Sequence, residues 1–177
     1  GFSTKILPTF RPDKIVEINK ETFLPYLETA NVKTFDDVLR FLTEKFEFFH
    51  SVGCRLSDHA LEYVPFATGD AKAAFDKRMA GGELTKEEID SFKTAMLKVC
   101  AEEYTKYGWA MQLHTGALRN NNRKMYDKLG PDTGFDSIND LCIAEDLSAF
   151  MNNLEYNDCL PKTILYTLNP KDNYVLG

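Results

Sequence analysis

Four places in the 177 residues end an apolar run on groups that can bind or ionise. They are Phe10-Arg11-Pro12-Asp13, Ser57-Asp58-His59, Gln112-Leu113-His114 with Arg119-Asn120-Asn121-Asn122 behind it, and Asn169-Pro170-Lys171-Asp172. Arginine offers a planar fork of donors suited to bidentate capture of a carboxylate. Histidine changes charge near neutral pH and can carry a proton or ligate a metal. Burying such groups without partners costs ~1–3 kcal/mol each. A chain that repeats the pattern four times is therefore lining a polar ligand site.

Each residue also has a plainer reading. Arg11 precedes Pro12, which holds it extended, and could simply pair with Asp13 or a helix carboxylate. His114 could be a core histidine satisfied by its neighbours, or, facing Gln112 across one pleat, a ligand or metal group. His59 is balanced between the two, because Asp58 could cap a helix starting there. His50, at the end of an amphipathic helix, reads as a surface cation near the helix C-terminus. Arg119 and the Asn triplet have turn and cap chemistry as well as binding capacity. Asn169 and Asp172, around Pro170, read as turn residues first.

The elements that must position these groups follow from periodicity. Strands are expected at 4–10, 53–57, 108–114 and 162–168. A helix begins behind Thr34, with Phe35, Val38, Leu39, Leu42, Phe46 and Phe49 recurring at three- and four-residue steps. Thr85 and Glu88 make a capping box for the longest helix, and Gly108 suits its left-handed end. A third long helix is expected over 139–154 and a shorter one over 70–82, ending at Gly81 or Gly82. Strands alternating with helices, and apolar strands without strict alternation, indicate an α/β fold with a parallel sheet covered on both faces. In such folds ligands bind at the carboxyl ends of the strands. No repeat or linker divides the chain, so a single domain over 1–177 is expected.

Composition excludes several classes. With 44% hydrophobic and 27% charged residues the chain is of the globular kind rather than disordered. A formal charge of -6 supplies no field for a phosphate backbone, so a nucleic-acid partner is not expected. No apolar run approaches the roughly 20 residues of a membrane span, and GFSTKILPTF lacks the features of a signal peptide. A cytoplasmic setting is expected. Cys54, Cys100, Cys142 and Cys159 have neither CxxC spacing nor a histidine cluster, and read as reduced core residues. The segment GPDTGFDSIND lacks the ligand spacing of a calcium loop and is expected to order the start of the third long helix. GxGxxG, Walker A, HExxH and GxSxG are all absent.

Taken together, KILPTFRPDK, GCRLSDHAL, YGWAMQLHTGALRNNN, LGPDTGFDSIND and LPKTILYTLNPKDNYVLG resemble the uronate (glucuronate) isomerase family of the amidohydrolase superfamily. The resemblance spans the whole chain, but as a middle portion of a longer enzyme. It implies a metal-dependent (β/α)₈ barrel that interconverts D-glucuronate with D-fructuronate, and D-galacturonate with D-tagaturonate, in hexuronate breakdown. It implies that Arg11 contacts the substrate carboxylate and that His114 is the catalytic histidine near the reacting carbonyl, and His59 matches a family motif. Together with Arg119 and Asn120 of the third strand tip, His59 is assigned to the substrate-binding set.

The family's His-x-His metal pair and its late Asp-x-Arg have no match here, so no metal ligand is assigned in this chain. The divalent metal, zinc, would be held by other parts of the complete enzyme. The four strands would be the fourth to seventh of the barrel, leaving a half-barrel with two open edges that favours self-association into a homo-oligomer. Two rival readings stand beside this one: a non-catalytic half-barrel fragment, and another metal-dependent amidohydrolase acting on an amide or ester.

Overall fold

The computed structural model describes residues 3–177. The amino-terminal half places α1 (Asp13–Val16), α2 (Phe23–Thr29) and α3 (Phe35–Ser51) before β1 (His59–Ala60), then α4 (Ala71–Met79) and α5 (Lys86–Tyr107). The remainder runs β2 (Ala110–Thr115), β3 (Ala117–Leu118), α6 (Arg123–Leu129), β4 (Ser137–Ile138), α7 (Ala144–Tyr156), β5 (Lys162–Thr167) and α8 (Asp172–Leu176). β1, β2 and β5 form a parallel sheet in that order. Beyond β1 the sheet is extended by a single parallel bridge from Phe10 to Ser57. Four chain segments thus lie side by side in sequence order, joined by helical crossovers, as in part of a (β/α)₈ barrel.

Two strand expectations need correction. The segment 4–10 forms no strand among the described residues beyond the Phe10 bridge. Pro8 removes a donor, Ile6 is 84% exposed, and the segment lies at the sheet's outer edge. In the second segment pairing starts only at Leu56, and the strand proper falls at His59–Ala60, past the expected 53–57. The third and fourth strands sit within two residues of their expected limits.

Local signals set the helices. Thr85 Oγ1 accepts from the Glu88 N–H at 3.2 Å, and the Glu88 carboxylate accepts from the Thr85 N–H at 2.7 Å. At the other end of α5, Gly108 has φ +67°, the left-handed turn that lets β2 start directly. Phe92, Met96, Leu97, Cys100, Ala101 and Tyr104 form the buried face of this helix. They meet Val38, Leu42 and Phe46 of α3 and the inner side chains of the sheet. Phe46 sits 4.9 Å from Phe10 and 5.3 Å from Tyr104, ring centre to ring centre, with Trp109 stacked 6.0 Å from Tyr104.

His50 is a further correction. It is half-buried: Trp109 Nε1 donates to its Nδ1 at 3.1 Å and Tyr107 stacks on it at 4.5 Å, so it is a packing group rather than a surface cation. Cys54, Cys100 and Cys159 are buried free thiols, whereas Cys142 is exposed on the approach to α7. That helix starts at Ala144 without a side-chain cap, because the preceding loop directs its polar groups elsewhere: Asn139 Nδ2 donates to the Glu62 carbonyl at 2.8 Å. The short α6 has no counterpart among the expected elements; Asn122 caps it by accepting from the Met125 N–H at 3.1 Å.

The cap of α3 gives a pH test. Thr34 Oγ1 accepts from the Asp37 N–H, and the Asp37 carboxylate accepts from the Lys33 and Thr34 N–H groups. The Lys33 N–H foremost, with Thr34 beside it, holds Asp37 at about 2 instead of the ordinary 3.8. A carboxylate depressed in the folded state stabilises above its unfolded pKa and loses that contribution as pH falls through the folded value. In acid titrations followed by urea unfolding, Asp37→Asn should flatten the loss of stability between 3.8 and about 2 relative to the parent.

Candidate active site

Side chains alternate along β2: Met111, Leu113 and Thr115 are buried, whereas Ala110, Gln112 and His114 are only half-buried. Parallel register places Ala60 beside His114 on one flank and Tyr166 on the other. Tyr166 stacks on the His114 ring at 4.3 Å and 4°, and its hydroxyl donates to Gln112 Oε1 at 2.9 Å. Gln112 Nε2 in turn donates to the Ser57 carbonyl at 2.9 Å. The imidazole therefore has one face covered by a phenol that is itself tied to the sheet.

Its other polar neighbour is Asp58, whose Oδ1 lies 3.0 Å from His114 Nε2 without an aligned hydrogen bond. The other oxygen of Asp58 accepts from Arg11. Asp58 thus joins the sequence-distant Arg11 and His114, which are 53% and 44% exposed at their side chains. No helix begins at Asp58, contrary to the capping reading; the next one starts at Ala71.

His114, Tyr166, Arg119 and Asn120 line a cavity of about 560 Å³ at the carboxyl ends of the strands, with Lys20 and Glu62 across it. Arg119 Nη1 donates to Asp136 Oδ2 at 2.8 Å and the Asn120 N–H donates to Asp136 Oδ1 at 2.8 Å. The Asn120 N–H, with Arg119 as a smaller contribution, holds the Asp136 carboxyl below its usual range. Asn120 itself has φ +56°, a left-handed turn that asparagine tolerates. The GPDTGFDSIND segment thus supplies β4, paired antiparallel with β3, and a carboxylate that fixes two cavity residues.

Two of the five expected site residues stand apart from this cavity. Arg11 lies beyond Asp58, at the outer edge of the sheet, and reaches the cavity only through that carboxylate. His59 is fully buried and faces the helix layer: Nδ1 meets Asp13 Oδ1 at 3.2 Å and Nε2 meets the Tyr104 hydroxyl at 2.9 Å. Direct substrate contact by His59 is corrected accordingly, since odd positions of this strand point away from the concave face. Tyr166 and Asp136 are further members of the site. Alternation in KTILYTL would have flagged Tyr166 on the Ile164 face, whereas nothing local marks Asp136.

The family model for glucuronate isomerase matches residues 1–177. The chain belongs to the glucuronate isomerase family. It is 52% identical to a uronate isomerase of Caldanaerobacter subterraneus subsp. tengcongensis and 50% identical to one of Caldicellulosiruptor saccharolyticus, over 99% and 100% of its length. It spans 40% of the length of each of these relatives. Among solved structures it superposes on a uronate isomerase from Thermotoga maritima with TM-score 0.87 and 36% identity, covering 94% of this chain and 39% of that one. A glucuronate isomerase from Caulobacter crescentus gives TM-score 0.80 at 25% identity, covering 94% of this chain and 36% of that chain. The four parallel segments of this glucuronate isomerase family member thus superpose on part of a longer chain in both solved structures.

Asp136→Ala removes the acceptor that Arg119 and the Asn120 N–H share. Hydrogen exchange at the Asn120 amide should quicken while exchange in β2 stays unchanged, read by mass spectrometry or NMR.

Proposed function

We propose that this chain supplies one side of the active site of a uronate isomerase, and that its 177 residues form a single domain, the central segment of the barrel. The proposed reaction is aldose–ketose isomerisation of D-glucuronate to D-fructuronate and of D-galacturonate to D-tagaturonate, in hexuronate catabolism. The observation that carries it is the Arg11–Asp58–His114 chain: a guanidinium able to hold a carboxylate is joined through one acid to an imidazole at a cavity mouth. The names of the relatives favour isomerisation over amide or ester hydrolysis.

Isomerisation moves hydrogen between C2 and C1, most economically by removing the C2 proton to give an enediol and returning it at C1. In the proposal Arg11 anchors the remote carboxylate, which orients the reacting end. His114 Nε2 holds or moves a proton at the hydroxyl–carbonyl pair, with Asp58 beside it to stabilise the imidazolium. Arg119 and Asn120 bind sugar oxygens at the cavity wall.

Among the described residues no three His, Cys, Asp or Glu side chains converge as a metal site would require. The divalent metal implied by the family resemblance, zinc in this proposal, would take its ligands from outside these residues. No helix among the described residues is long and apolar enough to cross a membrane. We extend the proposal to a cytoplasmic, homo-oligomeric complete enzyme acting on hexuronates.

A second reading, a non-catalytic half-barrel that self-associates, is favoured for the isolated chain by one observation. Among the described residues β5 has a partner on one side only, and Ile164, Tyr166 and Leu168 are 41%, 41% and 55% exposed. Open edges and apolar faces of this kind recruit partners. The isolated chain with added zinc should show no turnover of D-glucuronate and a mass above the monomer by light scattering; turnover by a monomer would refute this reading.

In the complete enzyme, Arg11→Met should raise KM for D-glucuronate by about 100-fold, the scale of a lost charged hydrogen bond. His114→Asn should lower kcat by about 10²-fold or more with KM little changed. Unchanged constants would remove the corresponding role.

A further inference from the structure

His59 is the one fully buried histidine among the described residues, and the proposed mechanism gives it no step. Its surroundings are nonetheless built. Asp13 Oδ1 faces Nδ1 at 3.2 Å, and the Tyr104 hydroxyl faces Nε2 at 2.9 Å. The remaining oxygen of Asp13 accepts from the Ala60 N–H at 2.9 Å and lies 3.8 Å from Arg11 Nε. Arg11 is therefore held between two carboxylates, Asp13 behind its Nε and Asp58 at its terminal nitrogen.

The tautomer follows from the partners. A carboxylate can only accept, so Nδ1 carries the proton that faces Asp13. Burial pushes the Tyr104 hydroxyl well above its ordinary pKa, which keeps it protonated and able to donate to Nε2. Both ring nitrogens then have a partner. A leucine or phenylalanine could fill the same core space, but neither could donate to Asp13. The carboxylate would lose one of the donors that fix its rotamer and would be free to turn from Arg11.

We infer that His59, set by Tyr104, is a positioning residue that orients the substrate-anchoring Arg11 through Asp13. The inference rests on the reading of Arg11 as carboxylate anchor. It links the helix layer to the ligand side through one strand: Tyr104 on α5, His59 on β1, Asp13 at the start of α1, then the guanidinium. His59 touches no substrate in this arrangement, and its effect on the reaction is entirely through Arg11.

The test uses the complete enzyme, with Tyr104→Phe and His59→Gln each made alone and in an Arg11→Met background. Tyr104→Phe keeps the ring in the core and removes only the hydroxyl, so it decides the matter even if His59→Gln fails to fold. Each single substitution should raise KM for D-glucuronate about tenfold with kcat within about twofold, as expected when an interaction equal in ground and transition state is lost. In the Arg11→Met background the same substitutions should change KM by less than about twofold, because residues acting through one another are not additive.

A merely structural role would instead lower the active fraction and the melting temperature alike in both backgrounds, leaving KM in place. An unchanged KM in Tyr104→Phe, or equal fold-changes in both backgrounds, overturns the inference. Arg11→Met with an unchanged KM would remove the anchoring role itself and this inference with it. A raised KM in Arg11→Met beside an unaffected Tyr104→Phe would sink the positioning role alone.

Discussion

The parity of β2 governs the arrangement of the site. Successive side chains of a strand point to opposite faces, so one residue of slip exchanges the two sets completely. As registered, Met111 and Leu113 enter the core while Gln112 and His114 reach the concave side. Pairing on both flanks holds that register: His59 opposite Leu113 on one side, and six consecutive pairs with β5 on the other. A shift by one would bury an imidazole among aromatic rings and turn leucine toward the ligand. The core thus specifies the site, because only one register satisfies both faces.

The helix layer enforces this from behind. α5 contributes a continuous buried face, and Tyr104 stands where that face meets the sheet, packed against Phe46 and Trp109 and bonded to His59. A polar link through an otherwise apolar interface is costly unless each member finds a partner. Here the hydroxyl, imidazole and Asp13 carboxylate supply one another. Gly108 then permits an abrupt turn from the end of α5 into β2, so the longest helix and the central strand share an origin.

Lys20 and Arg119 of the cavity, and Arg11 beyond it, are already engaged. Lys20 pairs with Glu62, Arg119 with Asp136, and Arg11 with Asp58. An incoming carboxylate would exchange one acid partner for another rather than neutralise a free charge. Exposed pairs of this type contribute about 0–1 kcal/mol, so such an exchange costs little. Among the described residues β5 has a partner on one side only, and Ile164 is exposed on the same face as Tyr166; the chain covers about two-fifths of its relatives' length.

Much of the backbone was legible from local signals. Thr34, Thr85 and Gly108 mark helix ends through interactions spanning at most a few residues, and the apolar run into Gln112 and His114 marks β2 with its polar tip. The amino acid sequence by itself therefore determined the limits of α3 and α5, the parallel α/β class and the clustering of binding groups at strand ends. It also carried the family likeness. Tertiary structure alone decided which group faces which. Asp58 turned from a supposed cap into the bridge between Arg11 and His114, His59 turned inward, and Asp136 took hold of Arg119 and Asn120. Arg11–Asp58, His59–Tyr104 and Arg119–Asp136 join residues 47, 45 and 17 positions apart, so no local pattern encodes them. They arise when strand register and helix packing bring distant side chains within reach, and that juxtaposition exists only in the folded chain.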